Sequence, residues 1–600
     1  MARFTLLTLT FTFITSVASA QTVTVTTAED VIDINASTAT VADLPGPDGK
    51  VSFSEAMIAT NNTPGHQTIA FAIPQNEWTL QFVYPGRAVL RTITGFYLRS
   101  FDDVTIDGTT QTAFTGDTNP DGCEVALFGG EIFINGDNSV IRGFDSTSIQ
   151  LTGSNGVVED NTGTMNITVF GGNGGIIRNN HASTIKIDRS NDNVIVGNTT
   201  MRVRVLGFVS DFGTGPVLNT RIGGPALADR NYITGYGTFN GEGFPAGSSV
   251  QLFDTAGTLV ENNWIGTTPD GLSQGSAAST VGVGFEAHND NVVVRNNRIA
   301  AIRAVGIGPH ATGLVFGTGI YVDGDVSDIS ILGNTIGLNA NDEPVLGSVT
   351  GIDVTSVGAA GAVKIGGDAP GDANVVAGHR FAGVSVRNGT NGATISGNSI
   401  FANVELGIDL HPATNTIGVT PNDALDADSG GNGLQNFPTL APATIAAGVL
   451  QVDGALASHA SESFRIEFFT NMECSASGNG EGEFFVGGID VQTNAAGQAI
   501  FSADLPIALG APDGLVTATA TRASTADTSE FSACADITVI ASAPGDIDGN
   551  GVVDATDAQL LASVLSGLDT DPTHAQRGDL NQDGSTDGDD IQMFVSLIGG

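Results

Sequence analysis

The chain has 600 residues, 80 of them glycine, with 40% hydrophobic and 14% charged residues. That excludes collagen, whose glycines recur at every third position, and a disordered chain, which lacks the bursts of Val, Ile, Leu and Phe seen here. Its 64 acidic and 22 basic residues give a formal net charge of −42, and the lysines are Lys50, Lys186 and Lys364 alone; no surface can neutralise a phosphate backbone, so the partners to expect are divalent cations and water rather than nucleic acid.

In chain order, Arg3 precedes an apolar run from Phe4 to Val17, and Ala18-Ser19-Ala20 has the small-x-small form that signal peptidase cuts. This predicts a signal peptide over 1–20 and a secreted or cell-surface protein starting at Gln21, without a membrane span. Thr22 to Thr26 alternates Val and Thr as an edge strand does, and Ser52-Phe53-Ser54-Glu55 has the form of a capping box opening a short helix to about Ala59, with Phe53 and Met57 on one face. A helix ahead of a long β array is expected to cap it, because an open solenoid end leaves strand edges unpaired.

From about residue 100 the chain repeats. The pairs Val140-Ile141, Val157-Val158, Ile176-Ile177 and Val194-Ile195 recur at a nearly constant interval, each flanked by Asn or Gly. That period is too long for hairpins and fits one coil of a parallel β-helix, with apolar residues inward and Asn laddering along the turns. A second register follows at Asn263-Trp264-Ile265-Gly266, Asn297-Arg298-Ile299, Asn334-Thr335-Ile336-Gly337 and Asn398-Ser399-Ile400. Ile222-Gly223-Gly224 with Asn231, Ile233 and Gly235 also matches Ile365-Gly366-Gly367 with Asn374, Val376 and Gly378, position for position.

With Phe53-Ser54-Glu55-Ala56-Met57, Leu406-Gly407-Ile408-Asp409-Leu410 and Leu434-Gln435-Asn436-Phe437-Pro438 added, the region 22–440 resembles secreted bacterial right-handed parallel β-helix proteins. The resemblance implies that fold over 21–440, with its N-terminal cap, and no particular chemistry. Between 441 and 542 the rhythm becomes alternating strands, such as Phe464 to Phe469 and Val516 to Thr521, with turns at Asn494-Ala495-Ala496-Gly497 and Pro512-Asp513-Gly514. Seven or so short strands read as an immunoglobulin-like β-sandwich, expected to act as a spacer. Of the three cysteines, Cys474 and Cys534 share this segment and are the expected disulfide, leaving Cys123 over.

A small-residue linker, Ala541-Ser542-Ala543-Pro544, leads to two twelve-residue loops with the spacing of calcium sites. Asp546, Asp548 and Asn550 occupy positions 1, 3 and 5 of the first, with Asp554 at position 9 and Asp557 at position 12; Asp579, Asn581, Asp583, Asp587 and Asp590 repeat the pattern. Oxygens so spaced converge on one ion when a glycine at position 6, here Gly551 or Gly584, folds the chain around it. The usual twelfth residue of an EF-hand is Glu, and both loops have Asp. Leu560, Leu561, Val564 and Leu565 then correspond to Met593, Phe594, Leu597 and Ile598 as apolar helical faces.

Two such loops in succession, each followed by a helix, resemble a type I dockerin over 545–600. The resemblance implies calcium as cofactor and a cohesin-like module as partner, recognised through loop positions 10 and 11. These are Ala555-Thr556 in the first repeat and Gly588-Asp589 in the second, a departure that argues against two equivalent docking modes.

Chemistry on the β-helix is not announced. Asp102-Asp103 and His379-Arg380 do not complete the carboxylate cluster of a glycoside hydrolase. Arg178, Arg295 and Arg298 are the arginines available to a polysaccharide lyase, and Asp423, Asp426, Asp428 and Asn432 read as a solvated acidic turn rather than a calcium site. The expected function is calcium-dependent docking that displays a β-helix for polysaccharide binding or breakdown; the alternative is a non-catalytic surface adhesin or structural spacer.

Overall fold

The computed structural model describes residues 21–91, 98–100, 103–207, 215–235, 247–275, 280–302, 317–355, 361–414, 416–446, 448–508, 511–540 and 544–598. The expected signal peptide, Asp102 and linker residues 541–543 lie outside the described residues. The chain divides into two compact units, Met1–Asn198 and Thr199–Gly600.

In the first unit the strand Gln21–Val25 pairs in parallel with Gln67–Phe71. Helix α1, Phe53–Asn61, closes on the expected capping box: the Glu55 N–H donates to Ser52 Oγ at 3.2 Å and the Ser52 N–H to Glu55 Oε2 at 3.0 Å. It buries Phe53 and Met57, and Phe53 packs at a tilt against Phe71, ring centres 5.5 Å apart, while Phe71 meets Phe144 edge-on at 5.5 Å. A second short helix, α2, covers Thr109–Thr115. Beyond the cap the repeated pairs stack in register, Ile106 on Ile141, Val158, Ile177 and Ile195, all fully buried. Strands that stack in parallel at so regular an interval are coils of a β-helix.

Asparagine fixes the corner between strands. Asn161 Nδ2 donates to Asn180 Oδ1 at 2.9 Å, and Asn180 Nδ2 to Asn198 Oδ1 at 3.0 Å, while each also donates to a backbone carbonyl. All three are buried, and a buried amide is stable only when both N–H groups and the oxygen find partners, which an identical residue one coil away supplies.

The second unit continues this logic with longer coils. Asn231, Asn263, Asn297, Asn334, Asn374 and Asn398 form a like ladder, with Nδ2 to Oδ1 distances of 2.9 to 3.0 Å but sequence steps of 32, 34, 37, 40 and 24 residues. The strands keep register while insertions lengthen the turns. The internal duplication marks one stack, in which Ile222, Val260, Val294, Ile331 and Ile365 are successive partners. Its Ile-Gly-Gly motif has a steric cause: a Cβ on Gly223 would lie 2.0 Å from Glu261 O, and one on Gly366 2.2 Å from Ser396 O.

The strands from Thr439 to Val539 then pair antiparallel around one core, except that Ala443–Ala446 runs parallel to Ala535–Val539. Val449–Ala457 pairs with Gln498–Pro506, and Ser463–Asn471 pairs with both Phe484–Gln492 and Leu515–Arg522. Leu450, Val452, Phe464, Ile466, Phe468, Val516 and Ala518 face one another between these layers. Cys474 and Cys534 are joined, with Cα atoms 6.2 Å apart, and Cys123 is a half-buried free thiol.

The sandwich is not a detached spacer. It seals the last coil, whose upper edge would otherwise present bare N–H groups. Gly392 N–H donates to Asp527 Oδ1 at 2.6 Å, Gly397 N–H to Glu467 Oε2 at 2.9 Å, Asn403 N–H to Glu481 Oε1 at 3.0 Å, and Leu410 and Thr420 N–H to the two oxygens of Glu530 at 3.0 and 2.9 Å. Ile400 and Gly482 exchange a pair of backbone hydrogen bonds at 2.7 and 2.9 Å. Burial is the main cause that pushes these carboxyls up, Glu467 and Glu481 to about 7 and Glu530 to about 8, against the lowering effect of their N–H donors.

Candidate calcium loops

The C-terminal module folds around its two loops. Helix α3, Ala555–Leu565, follows the first; α4, Pro572–Gly578, precedes the second; and α5, Gly588–Ile598, follows it. Helix α4 adds to the expected one helix per loop, and its signal was local: Asp571 caps it, accepting from Thr573 N–H at 2.8 Å, with Pro572 in its first turn. Arg577 on α4 reaches back to donate to Ile547 O at 3.3 Å, which ties the second half of the module to the first loop.

Both loops turn the same way. Gly551 and Gly584 have φ of +89° and +93°, and their N–H groups donate to Asp546 Oδ2 and Asp579 Oδ2, each at 2.8 Å. The position 12 carboxylates are central and fully buried: Asp557 accepts from the N–H groups of Ile547, Asp548 and Asp554 at 2.7, 3.0 and 2.8 Å, and Asp590 from those of Leu580, Asn581 and Asp587 at 2.7, 3.0 and 2.9 Å. This explains Asp in place of Glu. The shorter side chain both closes the loop and holds its entering and leaving segments together.

Carboxylate oxygens of Asp546, Asp548 and Asp557 lie within 4.8 Å of one another, and Asp546 Oδ1 is buried without a hydrogen-bond partner. An orphaned, buried carboxylate oxygen beside two more carboxylates is costly unless a cation is there. The donor set, all hard oxygen, suits calcium. Asn550 and Asn581 each turn Nδ2 toward a neighbouring carboxylate, Asp548 and Asp583, at 3.0 Å, which leaves their amide oxygens for the loop: each accepts a backbone N–H, from Val552 and Asp583 respectively. Asp554 accepts from Thr556 N–H as the N-cap of α3, and Asp587 plays the same part for Asp589 N–H at 2.9 Å.

Among the described residues Ile547, Leu561 and Phe594 are the buried apolar core of the module. Of the apolar residues expected to pack on α5, Phe594 is buried, whereas Met593, Leu597 and Ile598 remain nearly half-exposed. A module this small has too little interior to cover them. Ala555, Thr556, Gly588 and Asp589 stand exposed at the starts of α3 and α5.

The β-helix candidates are engaged elsewhere. Arg178 pairs with Glu159, its Nε 2.7 Å away, in an ion-pair row that includes Arg142 and Asp107. Arg295 donates to Glu261 at 2.7 Å, and Arg298 to Asp342 at 2.7 Å. Asp103 pairs with His66 at 2.6 Å. His379 is a core histidine, fully buried, held neutral by a pKa that burial lowers to about 4, and accepts Ser348 N–H at 3.1 Å. The acidic turn is less solvated than its composition implies. Asp426 is buried and accepts from Gln435, Asn436 and Ser458, while Asn432, in a left-handed conformation, bonds Ala393 and Thr528 in the seal.

Among the described residues no helix is long and apolar enough to cross a membrane. No curated protein matches the chain. Among solved structures, the enzymatically active domain of tailspike protein 4 of bacteriophage CBA120 is similar at 10% identity, over 81% of this chain and 66% of that one, with a TM-score of 0.24. The corresponding domain of tailspike protein 2 of the same phage is similar at 10% identity, over 75% and 72%, with a TM-score of 0.18. These likenesses are too distant to bear on function. Residues 544–598 match the dockerin type I domain, a calcium-binding module that docks onto cohesins. The chain is a parallel β-helix protein that carries a C-terminal type I dockerin domain.

Proposed function

We propose that the protein works outside the cell, docking onto a cohesin-like module through residues 545–600 once both loops hold calcium, and that it presents its β-helix for polysaccharide binding or breakdown. The observation that carries the docking half is Asp546 Oδ1, buried and unpartnered at the focus of the first loop. In this reading Asp546, Asp548, Asn550 and Asp557 hold one ion and Asp579, Asn581, Asp583 and Asp590 the other. Asp554 and Asp587 stand by at position 9. Calcium supplies the charge that lets eleven aspartates share this short segment. Ala555 and Thr556 offer the partner a small residue and a hydroxyl at an exposed helix start. The polysaccharide half rests on fold analogy, since a stack of strands presents repeating side chains to a repeating polymer.

The test is calcium titration of the intact protein followed by capture on an immobilised type I cohesin. Two ions per chain and retention abolished by EDTA are expected. Retention that ignores chelation would overturn the docking reading.

A further inference from the structure

One sheet of the second unit carries on its outer face a polar row that the repeat does not require. Successive register partners Gln251, Gly284, Tyr321 and Asp353 alternate with inward Val, Leu, Phe and Ile residues that are fully buried. Two residues further along the same face, Glu286 follows Phe285 and Asp323 follows Val322. Phe285 and Val322 are themselves partners, so the two carboxylates stand on adjacent coils, with backbones about 4.8 Å apart. Both are half-buried, whereas Gln251 and Asp353 in the row beside them are buried.

Each carboxylate is oriented by its own set of donors. Gln251 Nε2 donates to both oxygens of Glu286 at 2.9 Å, and Gln251 Oε1 is gripped by Arg202 and Arg204 at 2.8 and 2.9 Å. Asp323 Oδ1 accepts from Gly324 N–H at 2.8 Å and Thr355 Oγ1 at 3.0 Å. Burial raises the Glu286 carboxyl above its ordinary value, outweighing Gln251 and the two arginines, with Asp323 adding to the rise. Two neighbouring carboxyl groups in unlike surroundings are what acid and nucleophile roles need.

We propose that Glu286 and Asp323 form a glycoside-hydrolysing pair for a neutral polysaccharide, Glu286 as proton donor and Asp323 as nucleophile. This rests on the reading that the β-helix engages polysaccharide, and narrows it from binding or breakdown to hydrolysis. Glu286 gives its proton to the glycosidic oxygen as the bond to the anomeric carbon breaks and an Asp323 oxygen bonds to that carbon. Water then gives a proton to Glu286 and displaces Asp323, which restores both groups. A one-coil separation suits this double displacement rather than the wider gap of an inverting pair. A neutral substrate follows from charge: the protein carries −42, and the row's arginines are engaged, Arg387 by both oxygens of Asp353 at 2.8 Å and Arg202 and Arg204 by Gln251.

The test uses the intact calcium-loaded protein with arabinoxylan, galactomannan, xyloglucan and polygalacturonate, measuring binding by affinity electrophoresis and new reducing ends. Release from a neutral polymer is expected, with none from polygalacturonate. Glu286→Gln and Asp323→Asn should each lose at least about 100-fold in rate with unchanged melting. On a dinitrophenyl glycoside, whose leaving group needs no proton, Glu286→Gln should recover its first step while Asp323→Asn stays inactive. Binding of neutral polymers without release, or release undiminished in either variant, would overturn the hydrolytic pair and leave the display reading standing. Neither binding nor release would overturn both.

Discussion

Asp546 shows how much one side chain can report. Its Oδ2 closes the loop through Gly551 N–H and its Oδ1 is left buried and unpaired, so Asp546→Ala should remove one site and spare the other. Isothermal titration should fall from two calcium ions per chain to one, and a stoichiometry still at two would contradict the ligand set. The Cys474–Cys534 bond closes 60 residues of the sandwich. Cys474→Ser should lower its unfolding free energy by about 4 kcal/mol on the chain-entropy account, read by denaturant unfolding in oxidising buffer. Cys123 should behave differently: burial raises its thiol, so alkylation of the native protein near neutral pH should be slow and should quicken on unfolding.

The element that most changes the picture is the edge where the last coil meets the sandwich. Glu467, Glu481 and Glu530, raised to about 7, 7 and 8 from an ordinary 4.5, take up protons on folding. Their contribution to stability is therefore complete below about pH 4.5 and is lost as the pH rises through 7 to 8. Glu467→Gln keeps an acceptor for Gly397 N–H and cannot ionise. Relative to the parent it should gain stability between pH 5 and 8, approaching roughly 3 kcal/mol at the upper end, and equal slopes of melting temperature against pH in the two proteins would refute this. The same edge predicts that a fragment ending at residue 440 exposes N–H groups that the intact protein pairs, and aggregates, whereas one ending at 540 stays monomeric by light scattering.

For the protein as a whole, the β-helix and the dockerin domain are stabilised by different means. Coils are held by their neighbours through buried Ile, Val and Asn stacks, while the dockerin domain has three buried apolar residues among those described and is expected to fold on calcium. Removing residues 545–600 should abolish capture on cohesin and leave the main thermal transition unchanged, and EDTA should remove the helicity of that module alone. A shift of the main transition by more than a few degrees on truncation would mean that the domain also supports the sandwich.

The two twelve-residue loops of the dockerin domain, the capping box at Ser52 and the coil repeat were legible in the chain because each is a local code: residue spacing within one loop, a cap within one turn, an apolar pair in every coil. The disulfide partners could be guessed from a shared segment. The seal could not, since Glu467, Glu481 and Glu530 meet Gly397, Asn403 and Leu410 across 70, 78 and 120 residues, and an acidic residue in a strand reads as a solvated one. Nor could the pairing of Glu286 with Asp323. Their adjacency comes from coil lengths that insertions vary between 24 and 40 residues, so no fixed spacing announces it. Contacts made within a turn are fixed by chain geometry, whereas contacts between coils depend on how much chain each turn stores, which only folding resolves.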